Sequence, residues 1–270
     1  MKYKLVISDF DGTLLKSNDT ISDETKSAIR EYTLSGGVFG ISTGRSFESI
    51  SKRLEEIGLH GKFPIMSCQG ALSYDSESGE VLGDIPMERE AATEFLRRAE
   101  NMGLLCQFYT ARDVFVPELN NINGGYFKLT RLTPKEVGRV SVYAQKTHEK
   151  IYKTLCFISP TDRARVISAM ADIPNAQVFA SHAALVEAAS VRAGKGNGLI
   201  ETCRVFGIEP EKTVAIGDEL NDIEMIKAAG LGVAMGNAID KAIEAADFVT
   251  DTNDNDGVAK VLRKIMSGEL

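Results

Sequence analysis

The sequence is poor in the side chains that build thiolate and imidazole metal sites. It contains four cysteines, three histidines and no tryptophan among its 270 residues. The cysteines are Cys68, Cys106, Cys156 and Cys203. They lie far apart, form no CxxC pair and have no histidine at ligand spacing, which argues against a metal site and predicts reduced, mostly buried thiols. The histidines at positions 60, 148 and 182 are isolated as well.

The sequence also lacks an excess of positive charge and any long apolar run. Lys and Arg number 31 against 38 Asp and Glu, the net charge is −7, and the basic residues form no long cluster. This argues against binding to nucleic acid or to an anionic membrane surface. No stretch approaches the roughly 18 apolar residues of a membrane span, and two aspartates interrupt the first apolar run, unlike a signal peptide. We therefore expect a cytoplasmic protein with no evident obligatory protein partner.

Three common ligand-binding fingerprints are missing. The segment "GKGNG" (194–198) lacks the GxxxxGK[ST] spacing of a P-loop, and no GxGxxG follows the first predicted strand. The segment "DTNDNDGV" begins like a calcium-binding EF-hand loop, but its sixth position is Asp256 instead of glycine and its twelfth is Leu262 instead of glutamate. These absences argue against P-loop nucleotide binding, dinucleotide binding and an EF-hand.

Strands and helices alternate at both ends of the chain. Short apolar runs at 4–10, 38–43, 63–68, 212–218 and 230–236 predict strands. Helices are predicted at 23–35, from 46 to the glycine at 58, and at 219–229. Such alternation implies an α/β fold with a Rossmann-like parallel sheet covered by helices.

The middle of the chain has a different order of elements. A helix at about 88–102 is followed by strand-like runs at 104–118, 153–159 and 176–190. Runs of one type of element indicate an α+β module with an antiparallel sheet. We therefore expect a discontinuous core at 1–82 and 189–270 and an inserted α+β domain at 83–188 that could act as a lid.

Polar residues follow four of the predicted strands or begin helices. The first strand ends in Asp9 and Asp11, and the second ends in "STGR", with Thr43, Gly44 and Arg45. Lys195 lies at a glycine-rich helix start, and "IGDELNDIEM" (216–225) carries Asp218, Asn221 and Asp222. We expect the two aspartates of the last segment to share one face of a helix. Because ligands of parallel sheets bind at the carboxyl ends of the strands, these segments are expected to form one site.

The donor set of this site indicates the ligand. Two ionised carboxylates one residue apart repel each other unless a cation lies between them. Several carboxylates, one lysine and no clustered histidine or cysteine favour a hard, oxygen-binding ion, and Mg²⁺ fits best. Mg²⁺ held by few carboxylates completes its coordination with water and substrate phosphate. The sequence thus predicts phosphate as the ligand, and a small phosphorylated metabolite could supply it.

The segments "DFDGT", "STGR", the lone Lys195 and "GDELND" resemble the four ordered motifs of the haloacid dehalogenase-like phosphohydrolases. The tail "GLGVAMGNAIDKAIEAADFVTDTNDNDGV" (230–258) resembles the Cof-type subfamily, which carries a large α/β cap between its second and third motifs. The resemblance implies a Mg²⁺-dependent phosphatase acting through an aspartyl-phosphate, with a substrate such as a sugar phosphate. The inserted domain would be the cap.

The resemblance also implies individual roles. Asp9 would be the nucleophile and Asp11 the general acid and base. Thr43, Gly44, Lys195 and Asn221, together with Phe10, would hold the phosphoryl group. Mg²⁺ would be bound directly by Asp9, by Asp218 and by the carbonyl oxygen of Asp11. Asp222 would belong to the same metal site without binding the ion directly.

Other interpretations remain open at this point. A phosphomutase would return the phosphoryl group to the substrate, and a non-catalytic protein could use the same cradle for a phosphorylated ligand. A dinucleotide-dependent oxidoreductase would fit the fold class but not the missing glycine fingerprint. The chain also has Gln69 where many Cof-like relatives have asparagine. Nothing in the sequence specifies the leaving group.

Overall fold

The computed structural model describes residues 2–270, which form two compact units. The first unit comprises the residues up to Arg45, Ile50–Asp84 and Gly194–Leu270, and the second comprises Ser46–Ser49 and Ile85–Ala193. In chain order the elements are β1 (Leu5–Asp9), α1 (Asp23–Leu34), β2 (Val38–Ser42), α2 (Phe47–Glu56), β3 (Pro64–Ser67), β4 (Leu72–Asp75), β5 (Val81–Asp84), α3 (Arg89–Asn101), β6 (Cys106–Tyr109), β7 (Val114–Val116), α4 (Gly124–Thr130), β8 (Lys135–Glu136), α5 (Val140–Lys146), β9 (Lys153–Phe157), α6 (Arg163–Met170), β10 (Ala176–His182), β11 (Leu185–Ser190), α7 (Lys195–Phe206), β12 (Thr213–Gly217), α8 (Ile223–Ala228), β13 (Leu231–Ala234), α9 (Asp240–Ala245), β14 (Phe248–Val249) and α10 (Gly257–Ser267).

The first unit is built on an eight-stranded sheet in the order β14-β13-β12-β1-β2-β3-β4-β5. The strands from β14 to β3 are parallel, whereas β4 and β5 are antiparallel additions at one edge. Every residue of the central strands β1 and β12 is buried, as expected for parallel strands covered on both faces. The predicted α/β fold with a parallel-sheet core is confirmed.

The second unit contains a six-stranded sheet in the order β10-β11-β9-β6-β7-β8, in which only β7 and β8 pair in parallel. One face packs against α3, α5 and α6 in an apolar cluster. The opposite face carries a buried ion pair, with 3.2 Å between Lys153 Nζ and Glu187 Oε2. The hydroxyl of Ser181 donates to Glu187 Oε1 at 2.7 Å.

The structure differs from the sequence predictions at two boundaries. The predicted domain limit after residue 188 falls inside β11, which extends to Ser190 because it pairs with β9 and β10. The predicted helix at 219–229 is a 3₁₀ turn at Leu220–Asp222 followed by α8. Among residues 2–270, no helix is both long enough and apolar enough to cross a membrane.

Candidate active site

Asp9 is the last residue of β1, and a tight turn follows it. This residue is only 6% exposed. Gly12 has a φ of +84°, and a Cβ atom at this position would lie 2.4 Å from Oδ2 of Asp218. The next residue, Thr13, donates its hydroxyl to Oδ1 of Asp218 at 2.7 Å. The Gly-Thr pair therefore brings the end of β1 against the end of β12, because only glycine fits the first position without a clash.

Two asparagines from the segment between β13 and α10 contact this turn. Asn237 donates its side-chain amide to the carbonyl oxygen of Gly12 at 2.9 Å, and Asn253 donates to that of Leu15 at 2.8 Å. The two asparagines are joined by a 2.9 Å bond from the backbone N–H of Asn253 to Oδ1 of Asn237. Part of the C-terminal segment thus fixes the backbone beside Asp9.

Lys195 is the first residue of α7, and its ammonium group lies between two buried carboxylates. It donates to Asp9 and, at 2.6 Å, to Oδ1 of Asp222. Oδ2 of Asp222 accepts the backbone N–H groups of Asp218 and Glu219, each at 3.0 Å. Asp222 thus fixes both the lysine and the loop that carries Asp218.

Asp11 lies outside this buried cluster. Its side chain is 52% exposed and forms a bidentate ion pair with Arg45, with Nε to Oδ2 at 3.0 Å and Nη2 to Oδ1 at 2.7 Å. The hydrogen bonds that Arg45 donates to Asp11 raise the pKa of Arg45. In this arrangement Arg45 occupies both carboxylate oxygens of Asp11.

The remaining predicted phosphate residues follow the ends of β1, β2 and β12. Thr43 is buried, and its backbone N–H donates to Met66 at 2.8 Å. The exposed Asn221 donates its amide to Oε1 of Gln69 at 3.0 Å. Phe10 has a fully buried side chain in the core, so a phosphate contact by this residue is restricted to its backbone.

The sequence model of the haloacid dehalogenase-like hydrolases matches residues 6–262 of the chain. The chain belongs to this family. It is 32% identical to the 5-amino-6-(5-phospho-D-ribitylamino)uracil phosphatase YcsE of Bacillus subtilis, over 96% of this chain and 94% of the relative. It is 29% identical to a phosphoglycolate phosphatase of Methanopyrus kandleri, covering 97% of each. A solved haloacid dehalogenase-like hydrolase from Bacteroides thetaiotaomicron superposes with a TM-score of 0.85 at 26% identity, over 97% of this chain and 99% of that one.

These matches confirm the family resemblance and the prediction of an enzyme of the phosphatase class. In this haloacid dehalogenase-like hydrolase, the buried cluster contains three carboxylates and one ammonium group. One carboxylate oxygen from each of Asp9, Asp218 and Asp222 lies within 4.8 Å of the other two. Such a cluster has an excess of negative charge, which a divalent cation would neutralise.

Burial and charge shift the pKa values of the cluster. Burial raises the pKa of Asp9 well above its ordinary range against the opposing effect of Lys195, and Asp222 raises it further. Burial also raises the pKa of Asp218 to about 6, against the opposing hydrogen bond from Thr13. Burial lowers the pKa of Lys195, but the two neighbouring carboxylates outweigh this and raise it above the ordinary value. The lysine is therefore charged at neutral pH.

The structure brings most of the predicted residues together within the first unit, but with one difference. Asp218 and Asp222 do not share a helix face: Asp218 is in the loop after β12, and Asp222 ends the 3₁₀ turn. The prediction was wrong because it extended the helix over the whole segment. Sequence reasoning also missed the contact of Thr13 with Asp218 and the contact of Gln69 with Asn221. Thr13 belongs to the motif "DFDGT", so the sequence contained a signal for its role in the site.

Proposed function

We propose that this protein is a Mg²⁺-dependent phosphatase of small phosphorylated metabolites, such as sugar phosphates, and that it acts through an aspartyl-phosphate on Asp9. The buried cluster of three carboxylates around Lys195 carries this proposal. Taking charged groups out of water is unfavourable, and an unbalanced cluster is more so. A site that receives a metal ion and a phosphate explains why this cluster is retained in the core.

The donor set fits Mg²⁺. The available ligands are carboxylate and carbonyl oxygens, which this ion prefers. Asp9 and Asp218, with the carbonyl oxygen of Asp11, would hold it. Asp222 would position these ligands without binding the ion directly. One of its oxygens accepts a hydrogen bond from Lys195, and the other accepts hydrogen bonds from two backbone N–H groups. Bound Mg²⁺ would neutralise charge on the phosphate and on Asp9.

The side chain of Asp9 would attack phosphorus in line, forming an O–P bond as the bond to the leaving oxygen breaks. Lys195 holds Asp9 in place and offsets the charge that gathers on the phosphoryl oxygens. Thr43, the amide of Gly44 and Asn221 would orient the phosphoryl group.

Asp11 would donate its proton to the leaving oxygen and then take a proton from the water that attacks the aspartyl-phosphate. Inorganic phosphate leaves and the Asp9 carboxylate is restored. Arg45 occupies both carboxylate oxygens of Asp11, so this ion pair must open before Asp11 can pass a proton to the leaving oxygen. Asp11 thus needs a rearrangement that Asp9 does not need.

The names of relatives support the substrate class. YcsE is named for a phosphoribitylamino compound, the phosphate ester of a polyol chain, and the Methanopyrus relative is named for phosphoglycolate. Both are small phosphomonoesters. We therefore place the substrate of this protein in that class.

Phosphate release from 4-nitrophenyl phosphate tests the proposal, with Mg²⁺ and with EDTA, on wild type and on Asp9→Asn. Release should require Mg²⁺ and fall by about 10³-fold or more in the variant, because a carboxamide is a poor nucleophile. Asp240→Asn makes the same chemical change at an exposed position and should leave the rate unchanged. Activity retained by Asp9→Asn would exclude Asp9 as the nucleophile. A phosphorylated isomer as the main product from sugar phosphates would favour a phosphomutase.

A further inference from the structure

Three successive residues after β3 have left-handed backbone conformations. The φ angles are +50° for Cys68, +58° for Gln69 and +81° for Gly70. Such conformations are uncommon for residues other than glycine, and they persist only where the surrounding structure enforces them. Gln69 is notable because asparagine and aspartate adopt this conformation more readily than glutamine.

This turn contacts the segments that carry the candidate phosphate residues. The backbone N–H of Gln69 donates to the carbonyl oxygen of Thr43 at 3.0 Å, and that of Cys68 donates to Arg45 at 2.9 Å. A Cβ atom on Gly70 would lie 2.4 Å from the carbonyl oxygen of Gly194, the residue before Lys195. The turn is therefore packed between the end of β2 and the start of α7.

The side chain of Gln69 links the same turn to the fourth segment. Its Oε1 accepts the amide of Asn221 at 3.0 Å. Its Nε2 lies so close to Gly44 that a Cβ atom there would be only 2.6 Å away. One side chain thus spans the distance between the two segments from which we propose phosphate contacts.

We propose that Gln69 is a positioning residue for phosphate, which orients Asn221 and borders Gly44 so that both face the same phosphoryl group. The left-handed turn is the means by which the amide reaches between the two segments. This inference rests on the proposed function, because the phosphate roles of Gly44 and Asn221 belong to it.

Gln69→Asn is the informative variant, because asparagine tolerates the left-handed backbone while its shorter side chain loses its reach to Asn221. The probe is inorganic phosphate in the presence of Mg²⁺, with its Kd measured by calorimetry and stability measured by thermal unfolding. We expect the Kd to rise about threefold to tenfold, as for loss of one hydrogen bond, while the Tm stays equal or rises. Gln69→Asn/Asn221→Gln moves the lost methylene to the other partner and should restore much of the affinity.

Arg131→Asn is the matched control, since Arg131 is another left-handed residue, with a φ of +59° in the second unit. It should leave the phosphate Kd unchanged. An unchanged Kd in Gln69→Asn overturns the proposal, whatever happens to the Tm. A raised Kd that the amide exchange does not restore also overturns it, since the effect would not act through Asn221. Binding is measured apart from turnover, so a wild type that binds phosphate but hydrolyses no ester contradicts the proposed function without deciding the role of Gln69.

Discussion

Each of the two units buries a lysine in an ion pair, but the two sites differ in the carboxylates that lie around the ammonium group. In the second unit Lys153 pairs with the carboxylate of Glu187, and the hydroxyl of Ser181 donates a hydrogen bond to the same carboxylate. In the first unit Lys195 faces Asp9 and Asp222, and Asp218 lies beside them. A pair of one ammonium group and one carboxylate has no net charge. The cluster around Lys195 has more carboxylates than ammonium groups, and the Mg²⁺ site that we propose would neutralise this excess of negative charge.

Loss of each lysine should give the largest effect. Lys153→Met and Lys195→Met each leave buried carboxylate charge without its partner, so each should lower the free energy of unfolding by about 3–5 kcal/mol. Mg²⁺ distinguishes them, because binding to the folded state adds about 2.7 kcal/mol at a hundredfold excess over Kd. Mg²⁺ should raise the Tm of wild type and Lys153→Met equally and that of Lys195→Met by more. Equal rises in all three proteins would contradict a cation-binding cluster around Lys195.

Removing one carboxylate charge should change stability with opposite sign in the two units. Asp218→Asn relieves repulsion and should stabilise the protein by about 1–3 kcal/mol at pH 7 in EDTA, because the pKa of Asp218 in the folded protein is about 6 against an ordinary 3.8. Glu187→Gln removes the carboxylate charge that pairs with Lys153 and should destabilise the protein.

The pH dependence of Asp218→Asn follows from the same shift. A raised carboxyl pKa means that the folded protein binds the proton more tightly than the unfolded chain. The stabilising contribution of Asp218 is therefore complete below about pH 4 and is lost as the pH rises through about 6. In urea titrations without metal, the advantage of Asp218→Asn over wild type should grow across this range and shrink when Mg²⁺ is added. An advantage that is the same at pH 4 and pH 7 would argue against the shift.

The smallest expected effects come from removing one hydroxyl group in each unit. Thr13 donates to Asp218 and Ser181 donates to Glu187, both at 2.7 Å. Thr13→Val and Ser181→Ala should each cost about 1 kcal/mol of stability. Only Thr13→Val should also weaken Mg²⁺ binding near pH 6, because loss of its hydrogen bond raises the pKa of Asp218 further. Weakened Mg²⁺ binding in Ser181→Ala would show that the two sites are not independent.

The amino-acid sequence by itself determined the α/β class, the positions of most strands and the family. Apolar runs such as 4–10 and 38–43 carry Asp9 and Thr43 near their carboxyl ends. This local pattern is sufficient because a strand and the residues at its end are encoded within a few positions. Ordered occurrence of "DFDGT", "STGR", Lys195 and "GDELND" then limited the chemistry to phosphate.

Only the tertiary structure decided how these side chains share the site. The contacts of Thr13 with Asp218, Gln69 with Asn221, and Lys195 with Asp222 join residues 205, 152 and 27 positions apart. It also placed Asp11 on Arg45, outside the buried cluster. No local propensity encodes such pairs, because they depend on which strands lie side by side in the sheet and on the turns that follow them. The residue types were available from the sequence, whereas their hydrogen bonds, burial and pKa values arise only when the ends of β1, β2 and β12 and the start of α7 meet.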